Sequence, residues 1–106
     1  MNLEISFHNL DPSEALKERV REGVEKLQAL CPRLTGCKVV FEALHQLHGH
    51  VHAHRVHIQM KVPGQELSVS REPEDKGAAG ENDMYVLLHK ALETAARRLR
   101  DLKPVH

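Results

Sequence analysis

Polar and apolar residues alternate in four stretches of this chain, which is the period of a strand that buries one face. In the third stretch the apolar residues from Val56 to Val62 alternate with His57, Gln59 and Lys61. A turn at Pro63-Gly64-Gln65 joins this stretch to the fourth. The predicted strands lie at residues 3–7, 37–44, 56–62 and 67–69.

Two other stretches repeat apolar residues at every third or fourth position, which predicts helices with one buried stripe. The first covers Glu14 to Leu30, with Asp11 or Ser13 as its N-cap, and the second runs from the N-cap Asp83 to about Leu102. The predicted stripes are Leu16, Val20, Gly23, Val24, Leu27 and Leu30 in the first helix, and Met84, Leu88, Ala91, Ala95, Leu99 and Leu102 in the second.

The element order is therefore β-α-β-β-β-α, and 106 residues are enough for one domain, 1–106. One apolar face on each element predicts an α+β two-layer sandwich, a four-stranded sheet with both helices on one face. Strands one and two can run parallel through the intervening helix, while strands two, three and four should be antiparallel. The polar segments at about 45–54 and 72–82 are expected to be mobile.

Charge is neutral in total, with 15 basic and 15 acidic residues, but it is unevenly distributed. Residues 84–106 hold five basic and two acidic residues, so this segment has a formal charge of plus three and the rest minus three. Anion binding must then be local rather than driven by net charge. An aromatic content of 3% argues against an aromatic platform for single-stranded bases.

Six of the nine histidines fall between His45 and His57. On a regular strand His50, His52 and His54 would point the same way, about 7 Å apart, close enough for two imidazoles to share Zn²⁺ or Ni²⁺. No Cys, Asp or Glu stands at a fixed spacing nearby, so we favour a solvated hairpin whose histidines gain protons near pH 6. Adventitious or functional metal binding is the alternative, and no cofactor is predicted.

Catalytic and membrane-spanning classes find no support in the sequence. Cys31 and Cys37 have neither a CxxC spacing nor a nucleophile motif around them, and two reduced thiols are expected. No stretch approaches about 18 apolar residues, and the first ten residues have no leader pattern. These features predict a cytoplasmic protein that is not an enzyme and has neither a membrane partner nor a small-molecule substrate.

Three segments carry a resemblance: SFHNLDPSEALKERVREGVEKL at the start, VPGQEL at the last hairpin and NDMYVLLHKALETAARRL near the end. In this order and spacing the chain resembles the ribosome hibernation-promoting factor family of bacteria, also called ribosome-associated inhibitor proteins. The resemblance implies a sandwich similar to a double-stranded-RNA-binding domain. It also implies binding to 16S rRNA in the small ribosomal subunit, and inhibition or storage of translation under stress.

The resemblance further implies an RNA-binding set of basic residues on the two helices. Lys17, Lys26, Arg97 and Lys103 stand where members of the family carry basic residues, and Lys90, Arg98 and Arg100 add charge on the second helix. The alternative function is a small protein-interaction or metal-responsive module that uses the histidine hairpin 45–57. The oligomeric state is left open by the sequence.

Overall fold

The computed structural model describes residues 1–47, 50–73 and 83–102, and the side chains of 1–44, 53–73 and 83–102. The element order is the predicted β-α-β-β-β-α. The elements are β1 (Asn2–His8), α1 (Glu14–Leu30), β2 (Gly36–Leu47), β3 (His50–Val62), β4 (Gln65–Arg71) and α2 (Met84–Arg100).

The four strands form one sheet in the order β1-β2-β3-β4. β1 is parallel to β2, with Leu3 opposite Cys37, because the α1 crossover returns the chain to the same end of the sheet. β2, β3 and β4 are antiparallel neighbours. Gly64, with φ of 81°, forms the turn between β3 and β4, a conformation that glycine adopts without steric cost. The predicted topology is confirmed.

Both helices pack on one face of the sheet, as predicted. The inward residues Phe41 and Ile58 of the two central strands have no exposed surface, and they join the buried residues of α1 and α2 in one cluster. Phe41 also stacks on Phe7 with 5.1 Å between ring centroids. All buried residues of the described chain are apolar, so the charged groups lie on the outside of both layers.

Side-chain caps fix the start of each helix. The Ser13 hydroxyl accepts a hydrogen bond from the Leu16 amide at 3.2 Å, which decides between the two predicted caps of α1. Asp83 Oδ1 accepts from the Tyr85 amide at 2.8 Å, as predicted for α2. Each cap satisfies an amide that has no partner within the helix.

The predicted stripes need two corrections. Leu30 is 42% exposed, because it stands in the last turn of α1 on the side of the helix that carries Gly23, where the surface beside α2 is open to solvent. Leu87, which the periodicity omitted, is buried. α2 ends at Arg100, and Leu102, beyond it, is half-buried against the core.

β2 and β3 continue past their neighbours. β1 pairs with β2 as far as Glu42, and β4 pairs with β3 from Val56 onwards. Beyond that point β2 and β3 pair only with each other, from Ala43 opposite His54 to Leu47 opposite His50, with two register shifts. Both strands are longer than predicted. The mobility expected for about 45–54 and 72–82 stays a prediction, and residues 48–49 and 74–82 lie outside the described ones.

Candidate nucleic-acid interface

The largest concentration of basic side chains surrounds α2, which lies between α1 and β4. A shallow depression of about 820 Å³ covers the solvent side of this helix and both of its flanks. Among the described residues, its lining holds one carboxylate, Glu93, against five cations. We call these five residues the basic surface: Lys26, Arg71, Lys90, Arg97 and Arg100.

Helical geometry explains how α2 presents three of these cations together. Successive residues turn by about 100°, so Arg97 and Arg100 stand about 60° apart around the axis, on the side opposite the buried stripe. Lys90 lies two turns before Arg97, about 10.5 Å along the axis and on nearly the same side. The apolar stripe thus orients the cations, because burying Leu88, Ala91 and Ala95 leaves these three side chains facing solvent.

The basic surface has few internal partners. Lys26, Lys90, Arg97 and Arg100 form no ion pair with any other residue in the described part of the chain. Charged groups without a protein partner remain hydrated and keep their counterions. They can therefore exchange those counterions for phosphates at little cost in protein contacts.

Three residues of the predicted RNA-binding set lie elsewhere or outside the described chain. Lys17 is nine positions before Lys26, hence about 180° away around α1, and its Nζ lies 3.1 Å from Glu14 Oε1. Arg98 Nη1 donates to the Ser68 carbonyl on β4 at 2.5 Å, which draws this arginine towards the sheet. Lys103 falls outside the described residues. The structure thus brings together Lys26, Lys90, Arg97 and Arg100.

Arg71 is the member of the basic surface that the sequence analysis missed. It is the last residue of β4 and stands opposite Val56, so it shares the helix-facing side of the sheet with Leu67 and Val69. The sequence did contain a signal for it, because Arg71 continues the alternation of the inward residues Leu67 and Val69 at the point where the strand ends. The helix layer does not cover this end, and Arg71 therefore reaches the flank of α2.

A smaller hollow of about 130 Å³ adjoins the basic surface between the two helices. It shares Gly23, Lys26, His89 and Leu92 with that surface. A Cβ at Gly23 would overlap Leu92 Cδ1, so glycine leaves room for the Leu92 side chain between the helices. At the other end of the hollow the Arg19 guanidinium lies 5.8 Å from the centroid of the Tyr85 ring.

The chain matches the family described as "Sigma 54 modulation protein / S30EA ribosomal protein" over residues 3–104. It belongs to this family. Membership confirms the family predicted from the sequence and places the chain among ribosome-associated proteins of translation regulation. Nothing in the comparisons supports the alternative of an interaction or metal-responsive module.

Two solved structures share the fold of this S30EA family member. One is a ribosomal subunit interface protein from Coxiella burnetii, with a TM-score of 0.73 and 17% identity over 93% of each chain. The other is the N-terminal domain of Protein Y from Thermus thermophilus, with a TM-score of 0.71 and 20% identity over 97% of this chain and 100% of that one. A search of curated proteins found no match.

The histidine and cysteine residues of this S30EA family member show no assembled metal site where the structure describes them. Within those residues, no three His, Cys, Asp or Glu side chains are grouped to hold an ion. His54 is half-buried, and the side chains of His50 and His52 lie outside the described ones. Cys31 and Cys37 are free thiols, and burial raises the pKa of Cys37 to about 11.

Neither α1 nor α2 is long and apolar enough to cross a membrane.

Proposed function

We propose that this protein binds the small ribosomal subunit through 16S rRNA, with the basic surface as its principal contact, and inhibits or stores translation under stress. The observation that carries the proposal is the local charge. In a chain with no net charge, the described residues place five cations and one carboxylate around a single helix. Such an arrangement suits a polyanion that is wide enough to contact α1, α2 and the end of β4 together.

The phosphate backbone of rRNA has the required charge and spacing. Each phosphate that a Lys or Arg neutralises releases a counterion, which supplies affinity without regard to base sequence. The cations stand on two helices and one strand end, so their positions are fixed by the packed core rather than by loops. A rigid array of this kind recognises the shape of folded RNA, the main determinant where RNA is helical.

The names of the related proteins agree with this proposal. The family description includes a ribosomal protein, and the Coxiella burnetii structure is a ribosomal subunit interface protein. A protein that acts by occupying an RNA surface needs no chemistry of its own, and we therefore assign no enzymatic activity, cofactor or small-molecule substrate. A ribosomal partner also implies that the protein works in the cytoplasm.

The test is co-sedimentation with purified 30S subunits at two salt concentrations. If four or five cations neutralise phosphates, raising the salt from about 50 to about 200 mM should weaken binding by roughly two orders of magnitude. Replacing Arg97→Glu and Arg100→Glu together should weaken binding at low salt. It should also make the slope of log affinity against log salt concentration shallower, as expected for about two fewer phosphate contacts.

The matched control is Lys38→Glu with Lys61→Glu, which makes the same change in net charge on the outer face of the sheet. Both lysines are exposed there, on β2 and β3. This control should bind 30S subunits nearly as wild type does. Equal losses in the two double variants would show that net charge, and not the basic surface, governs binding, and binding that ignores salt would refute the proposal.

A further inference from the structure

Tyr85, in the first turn of α2, is 42% exposed and is the one aromatic ring among the exposed large apolar side chains of the described residues. The Arg19 guanidinium of α1 lies 5.8 Å from its ring centroid, within cation–π range. The backbone beneath the ring is fixed as well, since the Tyr85 amide donates to Asp83 Oδ1 at 2.8 Å. The chain thus holds a flat aromatic group and a flat cation next to each other at its surface.

This pair lines the small hollow that opens into the basic surface. The hollow has a volume of about 130 Å³, and its walls between the helices include the apolar side chains of Leu88 and Leu92. Lys26 and His89 line both the hollow and the basic surface, so the two adjoin each other. A chain-like ligand can therefore contact both without crossing another part of the protein.

The charges around the hollow differ from those of the basic surface. Arg19 and Lys26 share the lining with the carboxylate of Glu22, and the N-cap Asp83, whose Oδ1 accepts from the Tyr85 amide, adds a second carboxylate at this end of α2. A phosphate gains little where two cations meet two carboxylates. An uncharged planar group gains contact with the ring, the guanidinium and the apolar wall.

We propose that Tyr85 and Arg19 hold one unpaired nucleobase of the RNA whose phosphates contact the basic surface. Aromatic rings and Arg guanidinium planes are the groups on which proteins stack single-stranded bases. The low aromatic content of the chain excludes a platform that follows a strand, but one ring is sufficient for one base. The inference rests on the proposed function and adds a specific contact to its sequence-independent ones.

A fluorescence titration tests the stacking directly. Tyr85 is the only tyrosine and the chain has no tryptophan, so the tyrosine emission of the protein comes from this ring alone. The probes are a short single-stranded RNA and an abasic ribose-phosphate oligomer of equal length, both added at low salt. The RNA should quench the emission and bind about tenfold more tightly than the abasic oligomer, since stacking strengthens binding by about that factor per base.

Variants separate the ring from the charge. Tyr85→Ala should remove the preference for the oligomer with bases, whereas Tyr85→Phe, which keeps the ring, should retain it. Arg19→Lys keeps the charge but not the plane and should lose part of the preference. The controls are Val86→Ala, at the next exposed apolar position, and Arg21→Lys, whose guanidinium contacts Glu18 instead, and both should keep the full preference.

The outcomes distinguish this inference from the function on which it rests. Equal affinity for the two oligomers with unchanged emission would overturn the base site while salt-dependent binding to 30S subunits still stood. Loss of the preference in Val86→Ala to the same degree as in Tyr85→Ala would also overturn it. Failure to bind either oligomer or the 30S subunit would overturn both.

Discussion

The basic surface and the outer face of the sheet carry similar numbers of charged groups but use them differently. On the outer face cations contact carboxylates across neighbouring strands, as Arg55 does with Glu42 and Lys61 with Glu66. Around α2 the described part of the chain sets one carboxylate, Glu93, among five cations. A neutral chain can therefore present a charged surface to a partner if its cations and carboxylates are paired on one side and cations predominate on the other.

The pairing on the outer face follows from strand register. Glu42 stands directly opposite Arg55, and Arg55 Nε and Nη2 donate to Glu42 Oε2 at 3.2 and 2.5 Å. The hydrogen bonds to Glu42 raise the pKa of Arg55 further, and Glu72 adds to the effect. This contact lies where β1 ends and β2 and β3 continue as a two-stranded ribbon. The Arg55 guanidinium is therefore engaged by the carboxylates of Glu42 and Glu72 rather than presented to a partner.

The largest effect is expected from moving charge between the two faces. Arg97→Glu with Arg100→Glu, combined with Glu4→Lys and Glu66→Lys on the outer face, leaves the net charge at zero. We expect 30S binding to fall by roughly two orders of magnitude, as for the loss of two phosphate contacts and the gain of two repulsive ones. Co-sedimentation at low salt measures it. Restored binding in the fourfold variant would mean that position does not matter, and Glu4→Lys with Glu66→Lys alone is the control.

The next effect concerns the apolar layer that separates the two faces. Cys37 is the titratable group there, and burial raises the pKa of its thiol to about 11 from 9.0. The unfolded chain then loses this proton at lower pH than the folded protein, so stability should fall as the pH rises from 9 to 11. The total is about 2 to 3 kcal/mol, taking 1.36 kcal/mol for each unit of pKa shift.

Urea unfolding at a series of alkaline pH values measures this loss of stability. Cys37→Ala should remove this part of the pH dependence, while Cys31→Ala, at the half-exposed cysteine, should keep it. Parallel curves for wild type and Cys37→Ala would show that the thiol ionises equally easily in both states. The layer between the faces would then be more polar than the packing indicates.

A third effect arises where α1 approaches α2 beneath the basic surface. Gly23→Ala places a methyl group against Leu92, and overpacking of about 1 to 3 kcal/mol should exceed the gain of about 1 kcal/mol in helix propensity. In a Leu92→Ala background the clash is absent, and the same substitution should stabilise the protein. Thermal unfolding of wild type, Gly23→Ala, Leu92→Ala and the double variant gives the coupling free energy between the two positions. A Gly23→Ala effect with the same sign in both backgrounds would contradict the close approach.

Periodicity was sufficient for the element order, the sheet topology and the common side of the helices. It failed where burial depends on neighbours rather than on spacing: Leu30 has the phase of the stripe but no cover, and Leu87 is buried beside it. The residues of the basic surface show the same contrast between spacing and neighbours. Lys90, Arg97 and Arg100 share one side of α2 by helical phase, whereas Arg98 on the same helix contacts β4. Arg71 reaches the surface through strand pairing, and Lys17 lies on the opposite side of α1 from Lys26.

The smallest effect is expected from breaking the main pair of the outer face. Arg55→Ala removes both hydrogen bonds to Glu42, but the side chains are 37% and 25% exposed, so solvent screening limits the loss to about 1 kcal/mol. Arg21→Ala, which removes a helical pair with Glu18 at greater exposure, should cost less than about 0.5 kcal/mol. Urea unfolding measures both, and 30S binding should stay within about twofold of wild type in each, since neither arginine belongs to the basic surface. Weakened 30S binding by Arg55→Ala, with stability intact, would show that the outer face of the sheet also contacts RNA. It would contradict the assignment of RNA binding to the basic surface alone.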